Sequence, residues 1–431
     1  MHRLRRILKV VVINLIIFVV ALEIGLRVMP AVIPEGLLKR FEPSLRASIA
    51  ERRSLPNVSD VVQVERDDNG PPLLIFKPGV VVRFASRETG ETGEIHMDDR
   101  GFCNPEGTIG ADGTVDIVAV GDSFTACMNE PADSSAPESY VNWPFVLGRE
   151  AGVSVYNLSR GGQGVYEYVQ LLKHYGLQLH PKIAIMQIYE GNDLRDAQHV
   201  VAFRQMSPEE RANVPLRASW EPMKVSYEGL LRNWVGRNSY AYNFLLVAIV
   251  KGISEVIELT ERSTGADEAV NFKFWLDYEP SPVLMNPDND QKDEVRTARS
   301  LRAGEFSLSN FDEPLEEFAR LARENGFAAV LSYAPAAHVA YESVVRFEDP
   351  ALKELMLWYS QEQRAYLAKK CEELGIVFID LTPVLVEEIA KHGADALLYY
   401  PSNIHFTVLG HQVVTQELLR VLNEKQLLPL N

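Results

Sequence analysis

The stretch VAVGDSFTACMNE, residues 118–130, places a serine directly after a run of small apolar residues. The run begins at 115 with VDIVAV and suits a short strand that is buried on both faces of a sheet. Ser123 then follows the predicted strand by one short turn. In open parallel sheets, reactive groups collect beyond the carboxyl ends of the strands. Ser123 is therefore a candidate nucleophile, and the alternative is an ordinary polar residue in a turn.

Four more apolar runs follow the same pattern and alternate with helical segments. In the helical pattern at 311–326, Asp312 suits a cap, Pro314 suits the first turn and Gly326 suits the stop. This alternation predicts an α/β fold in which right-handed crossovers join parallel strands and cover the sheet on both faces. The four further predicted strands lie at 153–158, 182–189, 327–334 and 376–381.

The N-terminus combines a basic cluster with an apolar stretch from Ile7 to about Val28. This pattern fits either a signal peptide or a membrane anchor, which differ by cleavage. The stretch is not followed by a small-x-small cleavage site, which favours an uncleaved transmembrane helix at 1–29. Because the basic residues precede the span, the N-terminus is expected in the cytoplasm and residues 30–431 outside it, which is the periplasm if the source is a Gram-negative bacterium.

The rest of the chain divides into three segments. Residues 30–107 are predicted to be a linker followed by short β-rich pieces, which suggest a small sheet or hairpin leading into the main domain. The main domain is predicted at 108–431. Residues 200–305 interrupt its strand–helix rhythm and are expected to form a helical insertion that acts as a cap or lid.

Composition excludes several classes of function. The formal charge of −16 argues against nucleic-acid binding, which needs a basic surface. The nine histidines show no metal-ligand spacing, and SRGGQG at 159–164 lacks the full pattern of a phosphate-binding loop. No cofactor or metal is therefore predicted. The three cysteines imply no disulfide framework, although one pair can form in an oxidising compartment.

A serine nucleophile needs a base and donors for the developing oxyanion. His405 lies in a loop before the last amphipathic helix and is the best candidate base, whereas His411 is expected to pack or cap. Gly162 and Asn192 each follow a predicted strand. The backbone N–H groups of Ser123 and Gly162 and the side-chain amide of Asn192 have the chemistry of an oxyanion hole.

These motifs together resemble the SGNH (GDSL-like) hydrolase family. GDSFT at 121–125 resembles the block that carries the nucleophile, and NLSRGGQG at 157–164 resembles the second block, with Gly162 at its second glycine. GND at 191–193 matches the third, and HFTVLGH at 405–411 resembles the last. The resemblance implies a flavodoxin-like α/β/α fold with about five parallel strands. MDDRGFCNPEG and Trp143 also resemble the membrane-anchored, extracytoplasmic branch of the family.

One position departs from the family pattern. The family usually has an aspartate two or three residues before its histidine, where this chain has Asn403 and Ser402. Asparagine can orient an imidazole but cannot offset the imidazolium charge. Three hypotheses follow: a Ser–His pair helped by Asn403, another carboxylate such as Asp380 acting in its place, or a degenerate site. Structural roles are favoured for Asp380, Asp122 and Asp193.

The resemblance implies a serine esterase or deacylase that acts on acyl esters, with carbohydrate or cell-envelope esters as the favoured substrates. The alternatives are an O-acyltransferase that passes the acyl group to a polysaccharide hydroxyl, and a catalytically silent module that binds glycan or partners. The first two differ only in which nucleophile attacks the acyl-enzyme. Asn403 is the sequence feature that supports the third.

Overall fold

The computed structural model describes two compact units. One unit comprises 1–62 and 215–269, and the other comprises 63–214 and 270–431. The residues it describes are 2–33, 41, 45, 49, 62–65, 70–71, 73–85, 92–127, 141–207, 211, 235, 238–246, 270–289, 291–393 and 396–428. Most of the predicted linker at 30–70 and most of 208–269 lie outside these residues.

The first unit contains the N-terminal helix α1, His2–Val28, followed by a short 3-10 turn at Pro30–Val32. Glu23 accepts hydrogen bonds from the Ser239 hydroxyl and the Ala241 backbone N–H, each at 2.8 Å. A small apolar cluster surrounds the end of the helix. Its buried members are Leu26, Ile33, Phe41, Leu45, Ile49 and Tyr240.

The N-terminal segment is helical, as expected of an anchor. Within the part of the chain that the structure describes, however, no helix is long and apolar enough to cross a membrane. The membrane-spanning role expected of residues 1–29 stays a prediction. Two charged residues interrupt the segment near its end, and Arg27 donates to Glu23 at 2.6 Å.

Short paired strands precede the main sheet. Strand β1 (Val62–Glu65) pairs with β2 (Leu73–Phe76). Strand β3 (Val81–Ala85) pairs antiparallel with β4 (Thr92–His96), with Val82 opposite Ile95. The following loop is held by Asp98, whose Oδ1 accepts the backbone N–H of Phe102 at 2.9 Å.

The central sheet has five parallel strands in the order β12–β10–β7–β5–β6. Numbered by their place along the chain, these strands run 5-4-3-1-2, which is the flavodoxin-like order. All five predicted strands are confirmed, and every residue of β5, β6 and β7 is buried because helices cover the sheet. The strands are β5 (Ile117–Val120), β6 (Val155–Asn157), β7 (Ile183–Tyr189), β10 (Ala328–Ala334) and β12 (Val377–Asp380).

Two groups of helices cover this sheet. The first group has α2 packed on α10 and α10 packed on α9, and the second has α3 and α8 packed on α6, with α4 packed on α3. Right-handed crossovers place the two groups on opposite faces. The helices are α2 (Trp143–Ala151), α3 (Val165–Leu171), α4 (Asp193–Gln205), α5 (Lys292–Arg302), α6 (Asp312–Asn325), α7 (Ala337–Ala340), α8 (Pro350–Leu374), α9 (Thr382–His392) and α10 (Val408–Glu424).

The ends of α6 show which local signals hold. Gly326 ends the helix in the left-handed conformation with φ 74°, as predicted. Asp312 is instead the first helical residue, because a 3-10 turn at Leu308–Phe311 leads directly into the helix. Phe311 occupies the cap position without a side-chain bond.

The expectation of a helical insertion at 200–305 is only partly correct. Its described C-terminal part contains β8 (Phe274–Leu276) and β9 (Val283–Met285), which form an antiparallel sheet with β11 (Val345–Phe347). Strands of three residues are too short to show a clear alternation of apolar residues. Asn286 donates its backbone N–H to the Pro401 carbonyl at 2.8 Å, so this segment supports the loop before His405.

Candidate active site

Ser123 lies in a tight turn that begins directly after β5. The Asp122 carbonyl accepts the backbone N–H groups of Thr125 at 3.1 Å and Ala126 at 2.9 Å. The Asp122 side chain accepts the Phe124 N–H at 2.8 Å. These bonds close the turn and leave the Ser123 side chain partly exposed at the carboxyl edge of the sheet.

The structure brings His405 to this serine. His405 Nε2 lies 2.7 Å from Ser123 Oγ, which is hydrogen-bonding distance. The histidine sits in a closed loop in which Tyr400 N–H donates to the His405 carbonyl at 2.8 Å. Asn403 Oδ1 accepts the backbone N–H of His405 at 3.0 Å, so the residue at the expected aspartate position helps to shape this loop.

Aromatic packing holds the imidazole beside the nucleophile. The Phe124 and His405 ring centroids are 4.8 Å apart, and Phe124 stacks on Tyr189 at 3.9 Å. Phe406 meets the edge of Phe124 at 5.0 Å. Sequence analysis did not identify this stack, because its members come from three distant segments.

The glycine-rich loop at 157–164, called the second-block loop here, passes directly beside Ser123. A Cβ added to Gly161 would lie 3.5 Å from Ser123 Cβ. Gly162 adopts φ 78°, a left-handed conformation that favours glycine. The loop is anchored by Asn157, which donates its side-chain amide to the Thr125 carbonyl at 2.8 Å. The structure therefore places Gly162 one residue from the closest approach to Ser123.

Asn192 is the residue just before α4. Its side-chain amide donates to Asp196 Oδ2 at 3.0 Å and also hydrogen-bonds the Asp122 carboxyl. Burial raises the pKa of Asp122 to about 7, the negative charge of Asp196 adds to the rise, and the bond from Asn192 opposes it. The amide is thus held between two carboxyl groups next to the turn of the nucleophile.

The remaining acidic and histidine candidates have structural partners. Asp193 is buried and accepts the Tyr168 hydroxyl and the Tyr189 N–H, each at 2.8 Å. Asp380 accepts the Thr382 N–H at 2.9 Å and an ion pair from Arg364 at 3.3 Å. These contacts fit the structural roles favoured from the sequence.

His411 packs inside the protein, as the sequence favours. It is 2% exposed, and its Nδ1 accepts the Trp143 backbone N–H at 3.3 Å. Burial, with a smaller contribution from the charge of His405, lowers the pKa of His411 to about 3. A histidine that stays neutral and bonded to the backbone is a structural part of the fold.

A disulfide closes the far end of the nucleophile turn. Cys103 and Cys127 are bonded, and Cys127 is four residues after Ser123, while Cys371 is a buried free thiol in α8. The sequence left the pairing open because its three cysteines are widely spaced. Among the described side chains, no cluster of histidine, cysteine, aspartate or glutamate could hold a metal ion.

Comparisons with known proteins find similarity at the level of solved structures. No protein-family model matches the sequence, and no curated protein matches significantly. A member of the lipolytic G-D-S-L family from Veillonella parvula is 10% identical, with 72% of this chain and 98% of that chain covered and a TM-score of 0.34. An acetylxylan esterase from Geobacillus stearothermophilus, solved as a catalytic mutant, is 12% identical, with 71% and 93% covered and a TM-score of 0.34.

A further acetyl xylan esterase structure is 9% identical to this chain, with 71% of this chain and 99% of that chain covered and a TM-score of 0.32. These values are too low to assign a function. The function proposed below is therefore based on the geometry of the site.

Proposed function

We propose that this protein is a serine esterase or deacylase that acts on ester-linked acyl groups. The observation that carries the proposal is the 2.7 Å contact between Ser123 Oγ and His405 Nε2. A serine hydroxyl becomes a useful nucleophile when an adjacent imidazole accepts its proton. The two residues are 282 positions apart in the chain, so a chance local turn does not account for their contact.

The proposed reaction has two halves. Ser123 Oγ attacks the ester carbonyl while His405 Nε2 accepts its proton, and the imidazolium then donates that proton to the departing alkoxide. The product of this half is an acyl-serine. Water attacks the acyl-serine while His405 again accepts a proton, and return of that proton to Ser123 Oγ releases the carboxylic acid.

The tetrahedral intermediates need hydrogen-bond donors beside the nucleophile. The Ser123 and Gly162 backbone N–H groups and the Asn192 amide are the proposed donors. Gly161 supports this assignment, because a Cβ added at this position would lie 3.5 Å from Ser123 Cβ. The next backbone N–H in the chain is that of Gly162. The Asn192 amide is anchored next to the nucleophile turn by its bonds to the Asp196 and Asp122 carboxyl groups, and one of these bonds must be released when the amide donates to the oxyanion.

The substrate class and the cellular location are further parts of the proposal. A carbohydrate or cell-envelope ester remains the favoured substrate, and an extracytoplasmic location is supported by the Cys103–Cys127 disulfide, since such bonds persist in oxidising compartments. Attachment through the N-terminal segment stays a prediction. Thiol alkylation in cells before lysis tests the location, because a reduced Cys103–Cys127 pair would contradict it.

Active-site labelling tests the enzymatic proposal. We expect a fluorophosphonate probe to label the full-length protein, and Ser123→Ala to abolish the label. Ser309→Ala is the matched control, because Ser309 is an exposed serine away from the site. His405→Gln should slow labelling by at least a hundredfold, whereas His392→Gln, an exposed ion-pair histidine, should not.

Two outcomes would contradict the proposal. Labelling that persists in Ser123→Ala would place the nucleophile elsewhere. Absence of labelling in the wild-type protein at high probe concentration, together with no hydrolysis of acetate esters, would favour a silent binding module. Partitioning of the acetyl group between water and added oligosaccharide separates hydrolysis from acyl transfer.

A further inference from the structure

A recess lies beside the candidate active site, between the nucleophile turn and the second-block loop. The recess is small and open at its mouth. Phe76, Phe102 and the Cys103–Cys127 disulfide form its apolar wall, and Ser159 and Arg160 provide its polar groups.

Arg160 is a buried cation whose Nε and Nη2 atoms have no hydrogen-bond partner among the described residues. Its side chain is 3% exposed. The guanidinium lies over the Phe76 ring, 5.3 Å from the centroid. The neighbouring Ser159 hydroxyl is also buried and has no partner in the part of the chain that the structure describes.

An unpaired charge in such a place is unfavourable unless something compensates it. Burial lowers the pKa of Arg160 to about 10, and the charge of Glu167 opposes that shift, so the guanidinium stays positive at neutral pH. Glu167 itself accepts the Gly164 N–H at 3.2 Å at the start of α3. Cation–π stacking on Phe76 orients the guanidinium but leaves its edge of N–H donors unused.

This edge is near the nucleophile. Arg160 directly precedes Gly161, where an added Cβ would lie 3.5 Å from Ser123 Cβ. Ala126 and Cys127 also line the recess, and they belong to the turn that holds Ser123. A group bound in the recess and an ester at Ser123 can therefore belong to one substrate molecule.

We propose that Arg160, together with the Ser159 hydroxyl, binds a carboxylate of the substrate while its acyl ester lies at Ser123. Nε and one terminal nitrogen form the pair of parallel donors that matches a carboxylate, and the serine hydroxyl adds a third donor. The site then selects acyl esters on acidic sugars, such as uronic-acid residues, over neutral ones. This inference rests on the proposed esterase function and names its substrate class.

The test uses two substrates that differ only in charge: an acetylated uronic acid and the corresponding acetylated uronamide. Acetate release by the full-length protein gives kcat/KM for each. We expect the wild-type protein to favour the uronic acid at least tenfold, and Arg160→Gln to lower that ratio at least tenfold, mainly through KM. Arg160→Lys keeps the charge but loses the planar fork, and its ratio should lie between the two.

Arg302→Gln is the matched control, because Arg302 also lies over an aromatic ring, 4.6 Å from the Trp358 centroid, but is exposed. Its ratio should equal that of the wild-type protein. A wild-type ratio near one, or a ratio unchanged in Arg160→Gln, would overturn the inference. Fluorophosphonate labelling of Ser123 in the same samples shows whether each variant is folded. If the wild-type protein releases acetate from neither substrate, the esterase proposal itself is contradicted.

Discussion

The side-chain amide of Asn192 donates to Asp196, one turn further along α4, at 3.0 Å. Asp196 is also close to the second-block loop, since a Cβ added to Gly164 would lie 2.7 Å from its Cβ. One carboxylate therefore connects two of the three proposed oxyanion elements. Asp196 therefore lies between the start of α4 and the glycine loop.

Removing the Asn192 amide should lower kcat. Loss of one oxyanion donor costs about 10²–10³ in rate, so we expect that loss for Asn192→Ala, with a smaller change in KM. Asp196→Asn should have a weaker effect in the same direction, because it alters only the orientation of the amide. Steady-state hydrolysis of 4-nitrophenyl acetate gives kcat and KM for both variants. A larger loss of kcat in Asp196→Asn than in Asn192→Ala would contradict this assignment.

Gly161 and Gly162 should respond differently to alanine. Gly162 has φ 78°, so Gly162→Ala should cost about 1–2 kcal/mol of stability and displace the proposed N–H donor. A Cβ at Gly161 would make an ordinary 3.5 Å contact with Ser123 Cβ. Urea unfolding and kcat, measured for both variants, test this difference. Equal losses of stability and of kcat in Gly161→Ala and Gly162→Ala would contradict it.

An aspartate at 403 should raise turnover. Asn403→Asp retains an oxygen that can accept the His405 N–H, at 3.0 Å in the wild-type structure. It also adds a negative charge two residues from the imidazole, which favours the imidazolium formed during reaction. We expect kcat to rise about tenfold, because the opposite change in serine proteases costs about 10⁴. Asn403→Ala, which lacks the acceptor, should lower kcat.

Unchanged turnover in Asn403→Asp would indicate that the imidazolium already has sufficient support. That outcome would favour the hypothesis that the Ser–His pair works with the asparagine alone.

Stability should fall as pH rises, because of a buried carboxyl beneath the sheet edge. Burial raises the pKa of Glu190 from 4.5 to about 7, although Ser360 at 2.7 Å and Tyr333 at 2.9 Å donate to it. In the unfolded chain this proton leaves near pH 4.5. The favourable contribution is therefore complete below that pH and lost as pH rises through 7, a change of about 3 kcal/mol.

Glu190→Gln should remove the contribution of this carboxyl to the slope. Its amide oxygen can accept the same two hydroxyls, and its nitrogen would face His338 Nε2, which lies 3.9 Å from Glu190 Oε1. Urea unfolding between pH 5 and 8 measures the difference in the free energy of unfolding between the variant and the wild-type protein. This difference should increasingly favour the variant as the pH rises. Burial also raises the pKa of Glu294 to about 8, so a weaker slope should remain.

The Cys103–Cys127 disulfide should stabilise the main unit. Closing a loop with a sequence separation of 24 is worth about 3 kcal/mol by its effect on the unfolded chain. Cys127→Ala should therefore lower stability by about that amount and make it insensitive to reducing agent. Cys371→Ala is the control, because Cys371 is a free thiol. The stability of the Cys371→Ala variant should still fall when the disulfide is reduced.

Sequence alone predicted the strands because each is a local apolar run bounded by polar residues. The candidate residues followed from the same pattern, since Ser123, Gly162 and Asn192 each come just after a strand. Local signals failed where structure is short or depends on a distant partner. The three-residue strands β8 and β9 pair with β11, and the turn before Asp312 removed its capping role.

The sequence by itself thus determined the parallel α/β architecture and the chemical types at its strand ends, because periodicity and turn residues act over a few positions. Tertiary structure alone decided that His405 meets Ser123 at 2.7 Å and that Cys103 pairs with Cys127. It also decided that Arg160 is buried, with two nitrogen atoms that have no partner in the described part of the chain. These features depend on the order of the strands and on packing between segments far apart in the chain.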